Sequence, residues 1–252
     1  MPAGAIPELR APPQWQSVDF IADLHLNPGE PATAAAWRRY MQTTRASAIF
    51  ILGDLFEAWI GDDAARPPGF EAGCAAVLRE AARRCAVHFM RGNRDFLVGP
   101  GFLAACGVRD LPDPVTLILG QRRWLLSHGD ALCLDDAPYQ QFRRQVRQSA
   151  WQQQFLALPL RQRQAAPPQQ HASGQCAAPQ GHVWRVRQHD PADDQEQKEG
   201  VARIARQAGK TLSESVHAKK SGRRASRIRK RAWAARLRQC GFALFSGANS
   251  RP

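Results

Sequence analysis

The chain has 252 residues and 44% of them are hydrophobic, which is enough for one large domain or two small ones. Its six cysteines form no C-x-x-C pair, and its start lacks the basic and apolar segments of a secretion signal, so we expect reduced thiols in the cytosol. No apolar run reaches membrane-span length, so we expect any membrane association to be peripheral. The net charge of +13 belongs to the last third, because residues 1–160 hold 16 Arg, no Lys, 11 Asp and 5 Glu.

The first half of the chain predicts alternating strands and helices. Residues 1–16 are rich in proline, and we expect them to be disordered. Apolar runs that begin at Val18, Ile49 and Val87 predict buried strands. Helical spacing predicts helices from Pro31 to Thr43 and from Phe70 to Ala86. This βαβαβ order is typical of an α/β sheet with helices packed on it.

Shorter elements follow. Phe102 to Cys106 predicts a helical turn that stops at Gly107, and residues 115–127 predict a hairpin around Gly120. From Asp136 to about Arg163 the pattern is helical and partly apolar. It suits either two core helices or a lid or apolar channel for the substrate. Spacing alone favours the core helices.

The periodic pattern ends near residue 164. Residues 165–200 are rich in Gln, Pro, Ala, His and Gly, and residues 217–238 form an Arg/Lys block. We predict no strand in 165–241 and expect residues 165–252 to be an unstructured basic tail.

Polar residues directly follow four of the predicted strands. Asp23 and His25 follow the first strand, and single polar residues follow the other three, namely Asp54, Asn93 and His128. Because strands of an α/β sheet present ligand sites at their carboxyl ends, we expect these side chains to meet at one edge of one sheet. Each residue alone has an ordinary structural explanation, and only their joint placement favours a metal centre.

The chemistry of these side chains suits two adjacent metal ions. Asp54 can bridge both ions, because a carboxylate has two oxygens. We expect Asp23 and His25 to hold the first ion, and Asn93 and His128 to hold the second. Mixed oxygen and nitrogen ligation favours Mn²⁺, Fe²⁺ or Zn²⁺ over Ca²⁺. Arg94 could bind a phosphate oxygen, or it could pair with Asp95.

These motifs resemble the calcineurin-like metallophosphoesterase superfamily, whose pattern is D-x-H, G-D, G-N-[H/R]-[D/E], H and a late G-H-x-H. Within it, residues 17–164 are similar to the UDP-2,3-diacylglucosamine hydrolases, and the segments that carry the likeness are Phe20–Leu26, Ile51–Asp63, Gly92–Leu97 and His128–Gln140. The resemblance implies an αββα sandwich, here incomplete, with a core at 17–135 and the start of a helical lid at 136–164.

The resemblance also implies a reaction and a set of roles. Water would attack the α-phosphorus of UDP-2,3-diacylglucosamine with two Mn²⁺ ions as cofactors, giving UMP and 2,3-diacylglucosamine 1-phosphate. The five candidate ligands match metal positions, Asn93, Arg94 and Asp136 match substrate-binding positions, and Asn93 and Arg94 are the candidate catalytic residues. The lid would hold the acyl chains. Such an enzyme works as a peripheral protein at the cytoplasmic face of the inner membrane, without a nucleic-acid partner.

The sequence departs from this pattern after residue 164. The late Gly-His-x-His pair is absent, and Gly181-His182 is only half of it, because Trp184 stands where the second histidine belongs. We interpret His182 as a chance match. We hypothesise that the reading frame shifts near residue 164, and we expect this chain to fold poorly and to show little or no activity.

Two alternatives stay open. The chain could be a phosphoesterase for another nucleotide, although Arg94 and the Trp59–Asp63 segment speak against that. It could also be a binding module whose basic tail binds nucleic acid or anionic lipid. The affinity of such binding falls steeply as the salt concentration rises.

Overall fold

The structure, a computed structural model, describes residues 6–66, 68–134 and 136–165, together with the backbone of strands at 182–187, 201–203 and 245–247. Six α-helices are present in these residues: α1 Pro31–Thr43, α2 Phe70–Ala82, α3 Pro100–Cys106, α4 Ala137–Val146, α5 Ser149–Ala157 and α6 Leu160–Ala165. The strands are β1 Glu8–Arg10, β2 Ser17–Ala22, β3 Ala48–Leu52, β4 Ala86–Met90, β5 Arg109–Leu111, β6 Val115–Leu119, β7 Arg122–Leu126, β8 His182–Arg187, β9 Val201–Arg203 and β10 Phe245–Gly247.

The strands form two sheets. The first has the order β5-β4-β3-β2-β8-β9, and its strands β2 to β5 are parallel. The second has the order β1-β6-β7-β10, in which β6 and β7 form an antiparallel hairpin. The βαβαβ prediction is confirmed, because α1 connects β2 to β3 and α2 connects β3 to β4. β5 was missed, since three residues are too short to show a period.

Two apolar layers hold the domain together. Side chains on one face of β2 to β4, such as Phe20 and Phe50, pack against Val115 and Leu117 of the second sheet. The opposite face of β2 to β4 packs against α1, α2 and α3 through residues that include Trp37, Met41 and Leu78. Strands covered on both faces must be apolar throughout, which explains why β3 (AIFIL) is buried at every position. The architecture is α/β, as predicted, with one helical layer on two sheets in the described residues.

The N-terminal extension is ordered from residue 6 onward, which corrects the prediction of a disordered segment at 1–16. β1 pairs with β6 in parallel, with Leu9 opposite Leu117, and Trp15 is buried against Phe50 and His88. Residues 1–5 lie outside the described residues. The proline content was misleading, because a short edge strand and one buried tryptophan are enough to fix such a segment.

The prediction that 165–241 contains no strand is also wrong. β8 pairs antiparallel with β2 over six residues, and β9 continues that sheet. The sequence HVWRVR of β8 contains two valines and a tryptophan, which favour extended backbone, and the edge of β2 offers unpaired hydrogen-bonding groups. Hence β2 is not left as a bare edge. The rest of the predicted disordered tail, including the basic block at 217–238, lies outside the described residues.

The three helices after Asp136 lie at the edge of the core, and Trp151 and Phe155 of α5 pack against it while partly buried. No residue of α5 is buried, and α4 buries only Tyr139 and Val146. These contacts do not decide between the two interpretations, and the lid stays a prediction. One helix boundary also differs from the prediction. α2 ends at Ala82, whereas the sequence predicts a helix that runs to Ala86. No helix in the described residues is long and apolar enough to cross a bilayer.

Candidate metal centre

The candidate ligands occupy strained backbone just beyond β2 and β3. Asp23, His25 and Asp54 have φ values of 51°, 51° and 53°, which non-glycine residues rarely adopt. Backbone hydrogen bonds hold the two segments together, because the amides of Asp23 and His25 donate to the carbonyls of Gly53 and Asp54 at 3.2 and 3.0 Å. Strain of this kind is typical of functional sites that the surrounding structure over-determines.

Asp23, His25 and Asp54 form one cluster. A ligand atom of each lies within 4.8 Å of those of the other two, a spacing that suits one metal ion. Nε2 of His25 is 3.7 Å from Oδ2 of Asp54. The side chains of His25 and Asp54 are nearly buried. The cluster is therefore largely shielded from solvent. The donor set of two carboxylates and one imidazole fits a divalent transition metal.

The second pair lies against the other oxygen of Asp54. Nε2 of His128 is 2.9 Å from Oδ1 of Asn93 and 3.8 Å from Oδ1 of Asp54. The Nδ1 atom of His128 lies 3.0 Å from the carbonyl of Leu52, an interaction that orients the ring with Nε2 toward Asp54. Asp54 therefore has one oxygen toward His25 and the other toward His128, the geometry that a bridging ligand requires.

His128 comes from a different sheet than predicted, because the sequence analysis expected all five candidate ligands at one edge of one sheet. His128 follows β7, and β7 belongs to the second sheet. The centre is therefore assembled where the ends of both sheets meet, with Asp54 and Asn93 contributed by the first. The sequence of β7 could not show which sheet it joins, because strand pairing is set by contacts between segments that are far apart in the chain.

Two glycines allow the loops to approach closely. Gly53 has φ of 91°, and a Cβ there would lie 2.5 Å from Nδ1 of His128 and 2.7 Å from Cα of Gly92. Gly92 in turn faces the carboxylate and backbone of Asp54. Side chains at these positions would push apart the loops that carry the ligands.

Asp95 is a site residue to which the sequence analysis gave no role of its own. It is fully buried, and its carboxylate accepts hydrogen bonds from the backbone amides of Gly92 (2.8 Å), Leu55 (2.8 Å), Asp54 (3.3 Å) and Phe56 (3.4 Å). It thus joins the loops after β3 and β4. Burial, and then the charge of Asp54, raise the pKa of Asp95 to about 6. Its position in the Gly-Asn-Arg-Asp motif could have indicated this role, but the sequence analysis considered Asp95 only as an ion-pair partner of Arg94.

Arg94 does not pair with Asp95. Its Nη1 atom is 3.6 Å from Oε1 of Glu57, and its backbone amide donates to Oδ1 of Asp54 at 2.8 Å. The Nε atom of Arg94 is buried and has no hydrogen-bond partner. A buried donor without a partner is costly, and a phosphate oxygen would satisfy it.

Asp136 lies at the N-cap of α4. Its Oδ1 accepts a hydrogen bond from the amide of Tyr139 at 3.0 Å, whereas its Oδ2 is buried without a partner. Its described hydrogen bonds join it to α4 and the preceding turn, and none of them joins it to the five candidate ligands. Its role as a substrate contact stays a prediction.

An ionic network ties α4 to the loop that carries His128. The buried carboxylate of Asp130 accepts hydrogen bonds from the Tyr139 hydroxyl at 2.7 Å and from Nε of Arg143 at 2.8 Å. Arg147 reaches both Asp130, at 3.5 Å, and the carbonyl of Gly92, at 2.9 Å. Burial opposes ionisation of Asp130, but His128 and the hydrogen bond from Arg143 outweigh it and lower the pKa of Asp130 to about 2.

The titratable side chains of the centre have pKa values far from their ordinary ones. Burial raises the pKa of Asp23 to about 7. Burial lowers the pKa of His128, but the carboxylates of Asp54, Asp130 and Asp23 outweigh it, and the net pKa is about 9. His25 shows the same balance, because its bond to Glu57 and the nearby carboxylates outweigh burial and raise its pKa. Such perturbed groups in one cluster mark a candidate site.

His182 was interpreted as a chance match. Its backbone is paired with Ala22 in the β2–β8 ladder, and Ala22 directly precedes Asp23. Its side chain is not among the described atoms, nor are Gly181 and the other tail histidines, His171, His189 and His217. Whether the match is accidental stays a prediction.

Several known proteins that share one name are similar to this chain. The chain is 49% identical over 156 residues to a UDP-2,3-diacylglucosamine hydrolase of Chromobacterium violaceum, which covers 59% of this chain and 63% of the relative. For the protein of the same name from Stenotrophomonas maltophilia the identity is 49% over 144 residues, covering 56% of this chain and 57% of the relative. For that from Bordetella parapertussis it is 44% over 183 residues, covering 71% and 69%.

The matches have a limited extent. The chain spans 63% and 57% of the length of the first two relatives. No family model matches the chain. Among solved structures, the Pseudomonas putida nuclease MPE is 24% identical to this chain. The match covers 38% of this chain and 48% of that chain, and its TM-score is 0.30. On the coverage and identity of the Bordetella relative, the chain belongs to the UDP-2,3-diacylglucosamine hydrolase family.

Proposed function

We propose that the centre serves hydrolysis of the pyrophosphate bond of UDP-2,3-diacylglucosamine. In this reaction the oxygen of water forms a bond to the α-phosphorus, and the bond from that phosphorus to the bridging oxygen breaks. The products are UMP and 2,3-diacylglucosamine 1-phosphate. The relatives' name supports the substrate, and the arrangement around Asp54 supports the chemistry.

The residues present fit two divalent ions, for which we propose Mn²⁺. Asp23 and His25 would hold one ion, Asn93 and His128 would hold the other, and Asp54 would contact both, since its two oxygens face the two groups. Bound ions of this kind supply charge stabilisation at the phosphate and make the attacking water more acidic. Late Gly-His-x-His ligands are absent from the sequence, so we expect weaker metal binding than in the relatives and little or no turnover.

Arg94 and Asn93 would orient the substrate. The unpartnered Nε of Arg94 and the guanidinium beside it can donate to a phosphate oxygen and offset charge that develops in the transition state. The amide of Asn93 can do the same beside its metal-ligating role. Asp136, with its unpartnered Oδ2, would accept a hydrogen bond from the sugar or the nucleotide.

The helices α4 to α6 would form the start of a lid over the acyl chains. On α5, the rings of Trp151 and Phe155 stack with centroids 5.1 Å apart. Trp151 also lies beside Phe96, which follows the Gly-Asn-Arg-Asp loop. Leu156 and Leu158 at the end of α5 are about two-fifths exposed. Exposed apolar side chains at this position suit a lipid substrate and a peripheral location at the cytoplasmic face of the inner membrane. We expect no nucleic-acid partner.

One observation carries the proposal, namely the placement of the two oxygens of Asp54 between His25 and His128 at 3.7 and 3.8 Å. The test is Mn²⁺ binding and UMP release by the wild-type protein and by Asp54→Asn. This substitution keeps the side-chain volume but replaces one oxygen by an NH₂ group, which cannot bind a metal. We expect Mn²⁺ uptake to fall at least tenfold and UMP release to be lost.

The control is Asp110→Asn, because the exposed carboxylate of Asp110 pairs with Arg91 and has no described hydrogen bond or ion pair with a candidate ligand. It should bind Mn²⁺ like the wild type. Unchanged Mn²⁺ uptake in Asp54→Asn would refute the proposal.

A further inference from the structure

Glu57 contacts both halves of the proposed site. Its Oε2 atom is 3.0 Å from Nδ1 of His25, and its Oε1 atom is 3.6 Å from Nη1 of Arg94. One carboxylate therefore links a metal-ligating histidine to the arginine that faces the substrate phosphate. Glu57 was not among the candidate residues of the sequence analysis, because nothing in its spacing sets it apart from a surface glutamate.

The backbone of Glu57 is held in place although its side chain is partly exposed. Its amide donates to the carbonyl of Leu26 at 3.1 Å, and Leu26 forms a parallel bridge with Phe56. Phe56 and Trp59 on either side are buried. The amide of Trp59 also donates to the carbonyl of Arg94 at 3.1 Å. The segment that carries Glu57 thus fixes the backbones of its two partners.

The contact with His25 determines which ring nitrogen is free. When Nδ1–H donates to Glu57, the lone pair of Nε2 points toward Asp54, 3.7 Å away. A carboxylate that accepts from the second ring nitrogen of a ligating histidine fixes its tautomer and orientation and strengthens it as a ligand. An ordinary surface ion pair would do neither, and the His25 ring is only 8% exposed.

We propose that Glu57 is a positioning residue that presents Nε2 of His25 to the metal and holds the guanidinium of Arg94 toward the substrate phosphate. This inference rests on the proposed function, since it assumes that His25 binds a metal and that Arg94 binds a phosphate. It adds a residue through which metal binding and phosphate binding depend on each other.

Mn²⁺ affinity measured by calorimetry tests the first half of the proposal. We expect Glu57→Ala to weaken Mn²⁺ binding by about 10- to 100-fold. Glu57→Gln should weaken it less, because the amide oxygen can still accept from Nδ1–H. The matched control is Glu80→Gln, which removes the same charge from an exposed pair with Arg83 on α2 and should leave the affinity unchanged.

Binding of UMP at saturating Mn²⁺ tests the second half. Glu57→Gln should weaken UMP binding when Arg94 is present and should have no further effect in an Arg94→Ala background. A merely structural role for Glu57 predicts equal losses in both backgrounds, and that result would overturn the inference. Glu57→Gln keeps the side-chain volume, so a folded variant is available if Glu57→Ala does not fold.

The two proposals fail in different ways. If Asp54→Asn binds Mn²⁺ as tightly as the wild type, the proposed function is wrong. If Asp54→Asn loses Mn²⁺ whereas Glu57→Ala and Glu80→Gln both match the wild type, the metal centre stands and the role of Glu57 is wrong.

Discussion

Arg163 of α6 forms a bidentate ion pair with Asp63, which lies one hundred residues earlier in the chain. Nη1 of Arg163 is 2.9 Å from Oδ1 of Asp63. The guanidinium is almost completely buried, and it also donates to the carbonyls of Leu158, at 2.9 Å, and Ile60. These contacts attach α6 to the loop after β3. The Trp59–Asp63 segment, which the sequence analysis weighed against a phosphoesterase for another nucleotide, has a structural role as well. Asp62 accepts hydrogen bonds from the amides of Gly99 and Phe102 at the start of α3.

The first prediction concerns this attachment. Asp63→Ala leaves a buried guanidinium without its carboxylate, and we expect a local loss of about 1–3 kcal/mol in the stability of α6. Hydrogen exchange at the amides of residues 160–165 measures it. Asp110→Ala, which breaks the exposed pair with Arg91, should change global stability by less than about 0.5 kcal/mol. Equal protection of α6 in the Asp63 variant and the wild type would show that the pair does not hold the helix.

The second prediction concerns Asp95. Asp95→Asn has the same shape, but its NH₂ group cannot accept from the backbone amides that now bond to both oxygens. At least one buried N–H loses its partner, and we expect a loss of about 1–3 kcal/mol in the free energy of unfolding. Urea denaturation gives this value, and Mn²⁺ binding should weaken in parallel because the loops of Asp54 and Asn93 move apart. A variant with wild-type stability would contradict this account.

The third prediction concerns two glycines with opposite roles. Gly53→Ala places a methyl group against His128 and Gly92 and forces alanine into positive φ, so we expect a loss of roughly 2–5 kcal/mol. Gly73→Ala is the matched control, since Gly73 lies on an exposed position of α2 and a Cβ there meets nothing within 4 Å. That change should stabilise the protein by about 0.5–1 kcal/mol. Thermal unfolding of the two variants should therefore shift in opposite directions.

The fourth prediction is a pH dependence of the metal-free protein. The folded-state pKa of Asp23 is raised to about 7 and that of His128 to about 9. Both groups therefore favour folding when protonated, and their contribution is present below their ordinary values and is lost as pH rises through about 7 and about 9. Because metal ligands must be deprotonated, Mn²⁺ should bind more tightly over the same rise.

Thermal unfolding between pH 6 and pH 8.5 tests the fourth prediction, with and without Mn²⁺. The increase in unfolding temperature that Mn²⁺ produces should grow with pH, and Asp23→Asn should reduce that growth in the lower part of the range. A metal effect that is constant across this interval would count against the coupling between these protons and the metal.

Particular residues show why the sequence predicted some features and missed others. The run AIFIL of β3 and the spacing of Trp37 and Met41 in α1 carry strong local patterns, and both elements lie where they were predicted. β1, β5 and β8 were missed because a three-residue strand, or a strand beside polar segments, has no period long enough to recognise. They form because a neighbouring strand offers a free edge.

The candidate site followed the same division. Asp23, His25, Asp54, Asn93 and His128 were found because each directly follows an apolar strand. Glu57 and Asp95 were not found in their supporting roles, because what distinguishes them is the atoms they contact and not their neighbours in the chain. Arg94 was assigned a choice of two partners, and the structure gives a third, Glu57.

The amino-acid sequence by itself determined the α/β class, the first helices and strands and the identity of the five candidate ligands, because each depends on a pattern within about a dozen residues. The tertiary structure decided that His128 comes from the second sheet, that Asp54 faces both groups of ligands and that Asp95 joins their loops. Those relationships are set by strand pairing and side-chain packing between segments far apart in the chain, and no local pattern encodes the distance between two such segments.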